Sequence, residues 1–371
     1  MCYFDSMEIT EFKEPLQKAL AAMHIVSFAR VQDTMKDVLD GRDLLVNAPT
    51  GSGKTLAYLL PLLQKMKSQG KGRHLPHALI LVPTRELAIQ TAATARKLLS
   101  YEEGIRTAIL TGGVDMQAQI RSFHHGADLV IGTPARIKDH LRRHTLKTQE
   151  MESVVLDECD VMLSMGFVQD VMDILNDLPV HQTLLYSATF TPAVLSLSHQ
   201  IQKDPIQVTV KHDEAMAQHI AIHALITPEN RKLDALKNIL KAKHALVFCN
   251  TRKTCAFVAD HLPQAKAIHS EMDMKERKEI MADFRSGTLP VLVATDVAAR
   301  GIDIPFVSLV ICYDLPDDHD SLIHRVGRAS RDGRQSDAWI FLTPAQQNAD
   351  LEGVLHQEVQ RTKMQRKPRR K

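Results

Sequence analysis

The sequence predicts an α/β protein of two domains, each a parallel sheet flanked by helices. Three observations carry this. Short, β-rich apolar runs alternate with stretches of helical periodicity. The runs fall into two groups of five, a duplication of architecture without repeated sequence. A polar stretch, "DPIQVTVKHDEAMAQHI" at 204–220, parts the groups. The runs are continuously apolar rather than alternating, as strands covered on both faces require. With 371 residues, 44% hydrophobic and 24% charged, the chain can bury a core in each half. The expected organisation is a first domain over 1–208, a linker at 209–220, a second domain over 221–358 and a basic tail at 359–371.

In order, the first group is "DLLVNAP" (43–49), "ALILVPT" (78–84), "DLVIGTP" (128–134), "SVVLDE" (153–158) and "TLLYSAT" (183–189). The second is "ALVFCNT" (245–251), "KAIHS" (266–270), "VLVATD" (291–296), "SLVICYDLP" (308–316) and "AWIFLT" (338–343). Most runs end in small, polar or charged residues. Open parallel sheets place their ligand sites beyond the carboxyl ends of the strands, so these endings are where chemistry is expected.

Composition excludes several classes. No apolar run approaches the ~20 residues of a membrane span, and no membrane association is expected. The start, "MCYFDSMEITEF", lacks a signal-peptide pattern. Five scattered cysteines without a CxxC pair argue against zinc or a disulfide framework and for a reduced cytosolic or nuclear protein, of which the cytoplasmic location is the one expected. The last eleven residues, "RTKMQRKPRRK", carry seven Lys or Arg and no acid; subtracting their +7 from the net +2 leaves about −5. Contact of the body with a polyanion therefore needs a local site.

The strand-like run at 43–47 leads into "APTGSGKT" (48–55) and then a helical pattern. This is a phosphate loop in its required context. Gly51 and Gly53 let backbone N–H groups wrap phosphates, and the helix N-terminus adds its positive end. Ala48, Pro49, Thr50 and Ser52 complete the loop, Lys54 is expected to reach the β/γ-phosphates, and Thr55 to hold Mg²⁺. A phosphate-bound Mg²⁺ calls for a carboxylate from a neighbouring strand. "VVLDECDVM" (154–162) supplies Asp157 for the metal and Glu158 to orient or deprotonate water. Cys159 reads as a small packed residue.

These motifs and those that follow them in order, "PTRELA" (83–88), "TGG" (111–113), "TPAR" (133–136), "DECD" (157–160), "SAT" (187–189), "ATDVAARGIDIP" (294–305) and "HRVGRASR" (324–331), resemble the DEAD-box family of ATP-dependent RNA helicases. The resemblance runs from residue 12 to about 345. It implies two RecA-like domains, RNA-stimulated ATP hydrolysis coupled to domain closure, and local unwinding of short duplexes or remodelling of RNA–protein complexes. It implies that Gln32 reads the adenine edge and that Phe12 packs near the base. Ser187 and Thr189 would link hydrolysis to closure, and Asp303 would contact the ribose or site water. His324 and Arg325 match the second domain's motif, with Arg328 and Arg331 as arginine fingers.

RNA contacts are expected from Thr84, Arg85, Gly113, Thr133 and Arg136, and in the second half from Arg252, Arg277 and Thr295. Hydroxyls, glycine-flanked amides and arginines suit a phosphate–sugar track, which positions a strand without reading its sequence. Weak, non-specific RNA binding is expected of the basic tail. Nothing demands more than a monomer, and protein partners are unreadable. The chain departs from the family pattern in "HIVSFARVQ" (24–32), where only the glutamine is kept, and in Ala135, Ser270, Glu271, Met274, Ala329 and Ser330. An RNA clamp, a DNA remodeller on the same domains and a metabolite kinase are the competing functions; the last leaves "HRVGRASR" unexplained.

Overall fold

The computed structural model describes residues 7–49, 51–67, 75–122, 124–210, 220–240, 244–269, 272–296, 307–316, 319–329, 335–349, 351 and 360–363. The chain forms two compact units, Met1–Lys211 and His212–Lys371.

The first unit runs α1 (Glu14–Ala22), α2 (Met35–Leu39), β1 (Leu44–Asn47), α3 (Lys54–Lys65), β2 (Ala78–Leu81) and α4 (Arg85–Leu98). It continues with β3 (Thr107–Leu110), α5 (Met116–Ser122), β4 (Leu129–Gly132), α6 (Pro134–Arg142), β5 (Ser153–Leu156) and α7 (Cys159–Ser164). It closes with α8 (Val168–Asn176), β6 (Gln182–Ser187), α9 (Pro192–Ile201) and β7 (Ile206–Thr209). All seven strands pair in parallel, in the order β3-β4-β2-β5-β6-β1-β7.

The second unit holds β8 (Ile220–Ile226), α10 (Lys232–Leu240), β9 (Ala245–Phe248), α11 (Arg252–Asp260), β10 (Ala265–Ile268) and α12 (Met274–Ser286). Then come β11 (Val291–Ala294), β12 (Leu309–Cys312), α13 (His319–Val326), β13 (Ser336–Leu342) and β14 (Gln360–Lys363). The sheet order is β10-β11-β9-β12-β13-β8-β14, again parallel throughout. Adding seven to each strand number of the first sheet gives the second. The duplication read from the run pattern is therefore topological.

Strand pleating sends alternate residues to opposite faces. In the first sheet Ile80, Ile131, Val155 and Leu184 enter one core, and Leu79, Val130, Val154 and Leu185 enter another. The second sheet divides likewise, with Leu246, Leu292 and Val310 on one face and Val247, Val293 and Ile311 on the other. Each buried aliphatic side chain contributes about 1.5–3 kcal/mol, and both faces need helices to collect it.

All ten expected runs are strands. Four strands were not expected, so the sheets hold seven strands rather than five. Of the expected linker 209–220, Thr209 closes β7 and Ile220 opens β8; the residues between 211 and 219 lie outside the described set. The tail needs a correction too. Gln360–Lys363 pair with His223–Ile226 as β14, because a sheet edge captures any extended backbone whatever its side chains. Residues 364–371 lie outside the described set.

Candidate active site

β1 delivers the chain to the 48–53 loop, and α3 starts at Lys54. Gly51 and Gly53 hold φ of +84° and +96°, backbone that glycine adopts without steric cost. A Cβ on Gly53 would stand 2.5 Å from Gln32 Nε2. That amide donates to Gly53 O at 3.2 Å, while Gln32 Oε1 accepts from Ala29 N–H at 2.7 Å. Gln32 thus braces the loop with one N–H and one lone pair still to use. Buried Lys54 donates to Ala48 O at 2.9 Å, inside the loop.

β5 points at the same loop. Asp157 N–H continues the ladder to Leu81 O at 3.0 Å. Asp157 Oδ1 accepts from Glu158 N–H at 3.0 Å and Oδ2 from Tyr58 Oη at 2.8 Å. Burial pushes the Asp157 carboxyl up to about 6; the Lys54 cation opposes this, the Glu158 charge adds to it, and the two hydrogen bonds oppose it. Glu158 sits at φ +51°, an uncommon backbone for a residue with a Cβ, and one found where function places strain. Cys159 is wholly buried and burial pushes its thiol up, so it packs rather than reacts.

Asp160 ties this segment to the end of β6. Its Oδ2 accepts from Ala188 N–H at 3.2 Å and from Thr189 N–H and Oγ1, each at 3.0 Å. Asp160 N–H donates to Ser187 Oγ at 3.3 Å, which donates to Thr189 O at 2.8 Å. Four hydrogen bonds of Asp160 thus join the two motifs.

Two buried oxygens here have no hydrogen-bond partner among the described residues: Ser52 Oγ on the loop and Glu158 Oε2 beside it. Buried polar groups are nearly always satisfied. A hydroxyl and a carboxylate oxygen left open beside a glycine loop fit a phosphate ligand with its cation and water. Thr55 and Asp157 are the oxygen donors suited to Mg²⁺.

In the second unit Arg325 is 1% exposed. Nε and Nη2 grip Asp296 at 2.7 and 2.6 Å, Nη1 reaches Asp314 O at 2.6 Å, and Nη2 reaches Asn250 Oδ1 at 2.7 Å. Its plane lies over Phe248 at 5.5 Å. Burial works against the charge, but the Asp296 carboxylate outweighs it and holds the guanidinium protonated. Arg328, just past α13, is buried. Only the backbone of His324 is described, within α13. Thr50, Asp303 and Arg331 lie outside the described residues.

On the first unit's strand ends, Arg85 Nη1 donates to Gly113 O at 3.2 Å and Arg136 Nη1 to Val114 O at 2.8 Å. Gly113 has φ +73°, and a Cβ there would stand 3.0 Å from Arg85 Nη1. Arg85, Thr133 and Arg136 are partly exposed, and Gly113 and Arg252 are exposed. Thr84, Arg277 and Thr295 are buried and present little to a surface strand. Thr84 instead caps α4, its hydroxyl accepting from Leu87 N–H at 3.2 Å.

Phe12 also departs from expectation. Its ring is 2% exposed, sunk in the core and edge-on to Phe28 at 5.8 Å, so it has no open face for a base. The partly exposed ring is Phe28, four residues before Gln32. The sequence reading missed it by taking Phe12 as the upstream aromatic. It missed Tyr58 as well, whose signal was a hydroxyl four residues after Lys54 on the same helix face.

Comparison with known proteins follows the same pattern. The DEAD/DEAH box helicase model matches residues 30–197, and the helicase conserved C-terminal domain model matches 231–333. The DEAD-box ATP-dependent RNA helicase CshA of Bacillus cereus is 37% identical over 320 residues, covering 84% of this chain and 60% of that protein. The ATP-dependent RNA helicase DeaD of Haemophilus influenzae is 36% identical over 350 residues, covering 92% and 56%. The chain thus spans about 60% of the length of such curated relatives. The structure of S. cerevisiae Dbp5 bound to RNA and ADP BeF3 aligns with a TM-score of 0.83 at 27% identity, covering 96% of this chain and 95% of that one. A DEAD box protein from Methanococcus jannaschii aligns with a TM-score of 0.56 at 30% identity, covering 95% and 97%.

Proposed function

Because the chain belongs to the DEAD-box helicase family, we propose that it is an ATP-dependent RNA helicase. ATP hydrolysis is stimulated by RNA and coupled to closure of the two units, and its output is local unwinding of short duplexes or RNP remodelling. The observation that carries this is the joined pair of motifs at 157–160 and 187–189 beside a braced phosphate loop. "DECD" is this chain's form of the family's acid box.

The 48–55 loop binds the phosphates through its backbone N–H groups, and Lys54 exchanges Ala48 O for a phosphate oxygen. Thr55 and Asp157 hold Mg²⁺, which when bound neutralises developing phosphate charge. Glu158, with an oxygen that no described residue engages, orients and accepts a proton from the attacking water. Gln32 reads the adenine edge, and Phe28 takes the base-packing role first assigned to Phe12. Arg328 and Arg331 supply charge to the γ-phosphate when the units close, which makes turnover conditional on what holds them together.

Arg85, Gly113, Thr133 and Arg136 carry the RNA backbone on the first unit, and Arg252 on the second. Binding is sequence-tolerant. Residues 364–371 add a salt-dependent anchor. The same proposal covers a cytoplasmic location and a monomeric state. The test is steady-state ATP hydrolysis with single-stranded RNA, single-stranded DNA or neither. RNA alone should raise turnover, and Glu158→Gln should lower it at least ~100-fold. Equal stimulation by DNA would favour the DNA remodeller instead.

A further inference from the structure

Beneath the 111–115 loop lies a chain of buried polar groups. Gln119 is the one buried residue of α5, and His140 is wholly buried on α6. Gln119 Nε2 donates to Thr111 O at 2.7 Å. That bond fixes the amide, so Oε1 faces His140 Nε2 at 3.2 Å. A carbonyl oxygen only accepts, so Nε2 must carry the ring proton. Nδ1 is then the acceptor for Thr145 Oγ1 at 2.8 Å, whose one proton is shared with His140 O, to which the hydroxyl also donates at 3.1 Å. The bonds therefore run one way, from Thr145 through His140 and Gln119 to Thr111. Burial and nearby Arg136 lower the His140 pKa to about 4, which keeps the ring neutral as this polarity requires.

The chain ends where the loop begins. After Thr111 come exposed Gly112 and Gly113, then Val114, whose carbonyl takes Arg136. Arg136 stands one turn before His140 on α6. One helix thus holds the loop from outside through an arginine and from beneath through a histidine. An apolar pair could fill the space, but it would leave Thr111 O without this donor and the loop without a register.

We propose that Gln119 and His140 are positioning residues that set the 112–115 loop and Arg136 in place for an RNA backbone. This rests on the RNA-track reading above. The experiment titrates single-stranded oligouridylate into the ATPase assay of the full chain, for Gln119→Leu, His140→Leu, their double variant, Thr145→Val and Arg136→Ala. Half-saturating RNA should rise about tenfold in the first two, with turnover at saturating RNA held within about twofold. The double variant should be no worse than either single, since both cut one chain. Thr145→Val frees the ring to take the other tautomer and should show a smaller rise; it carries the test alone if the buried variants do not fold. Unchanged half-saturation, with only melting temperature or turnover reduced, overturns the proposal. Arg136→Ala separates the two readings. If it raises half-saturating RNA and the chain variants do not, the positioning role alone is wrong. If it too has no effect, the loop is not an RNA contact.

Discussion

At the residue scale, Asp157 pits stability against function. Folded, it holds its proton up to about pH 6, against an ordinary 3.8. The folded state therefore binds more protons than the unfolded one between those values, and stability falls as pH rises through them. Asp157→Asn should abolish ATP turnover yet stabilise the protein above about pH 6, by on the order of 2–3 kcal/mol at most. The gain should shrink to nothing toward pH 3.8, as urea titrations at several pH values would read. Tyr58 belongs to the same balance, and neither its partner nor the role of Phe28 was legible. The sequence pattern gives a helix face and a spacing; which hydroxyl meets which carboxylate depends on packing between α3 and β5. The loop and the acid pair were legible because their chemistry constrains residue type at every position.

At the element scale, legibility followed burial. Of the ten runs read as strands, β2, β4, β5, β9, β11 and β12 are buried at all four positions, while β10 was legible although it is a partly exposed edge strand. The four missed strands are those whose side chains do not need an apolar run. β3 and β7 are the partly exposed strands at the two edges of the first sheet, β8 alternates, and β14 is "QRTK". Arg325 shows how strand ends are joined in the second unit, linking Asn250, Asp296 and Asp314 beyond β9, β11 and β12. Arg325→Ala would leave Asp296 without this buried partner and should cost about 3–5 kcal/mol. Arg325→Lys should recover little, since an ammonium cannot span a two-pronged carboxylate grip plus two further acceptors. Thermal unfolding should show the second unit melting early while the first is unchanged. Deleting 360–371 should also lower the second unit's melting temperature, because β8 loses β14; a purely electrostatic tail would leave it unchanged.

At the scale of the whole molecule, differences laid on the repeated topology show why the proposed nucleotide chemistry falls to the first unit. β8 is the counterpart of β1, and α10 of α3, so Lys232 opens its helix as Lys54 opens α3. The connection before it, "TPENR", has no glycine to wrap phosphates. Buried Lys232 is engaged by Glu229 at 2.9 Å and Asp314 at 3.2 Å, and lies 5.3 Å over the Tyr313 ring. The second unit has turned its equivalent lysine into a structural ion pair. Under the proposed function, the second unit contributes to hydrolysis through the arginines after α13 rather than through a phosphate loop. Expressed alone, residues 1–211 should fold and bind ATP but show no stimulation by RNA, which an ATPase titration of the fragment checks.

Under the proposed function, ATP and RNA act on each other through the two units. By linkage, each must then tighten the other's binding by the same factor. The most direct measurement is the affinity of Glu158→Gln for a fluorescent single-stranded RNA, with saturating ATP and with ADP. The account predicts binding at least about tenfold tighter with ATP. Equal affinity in the two nucleotides would contradict it, whatever the rate of hydrolysis.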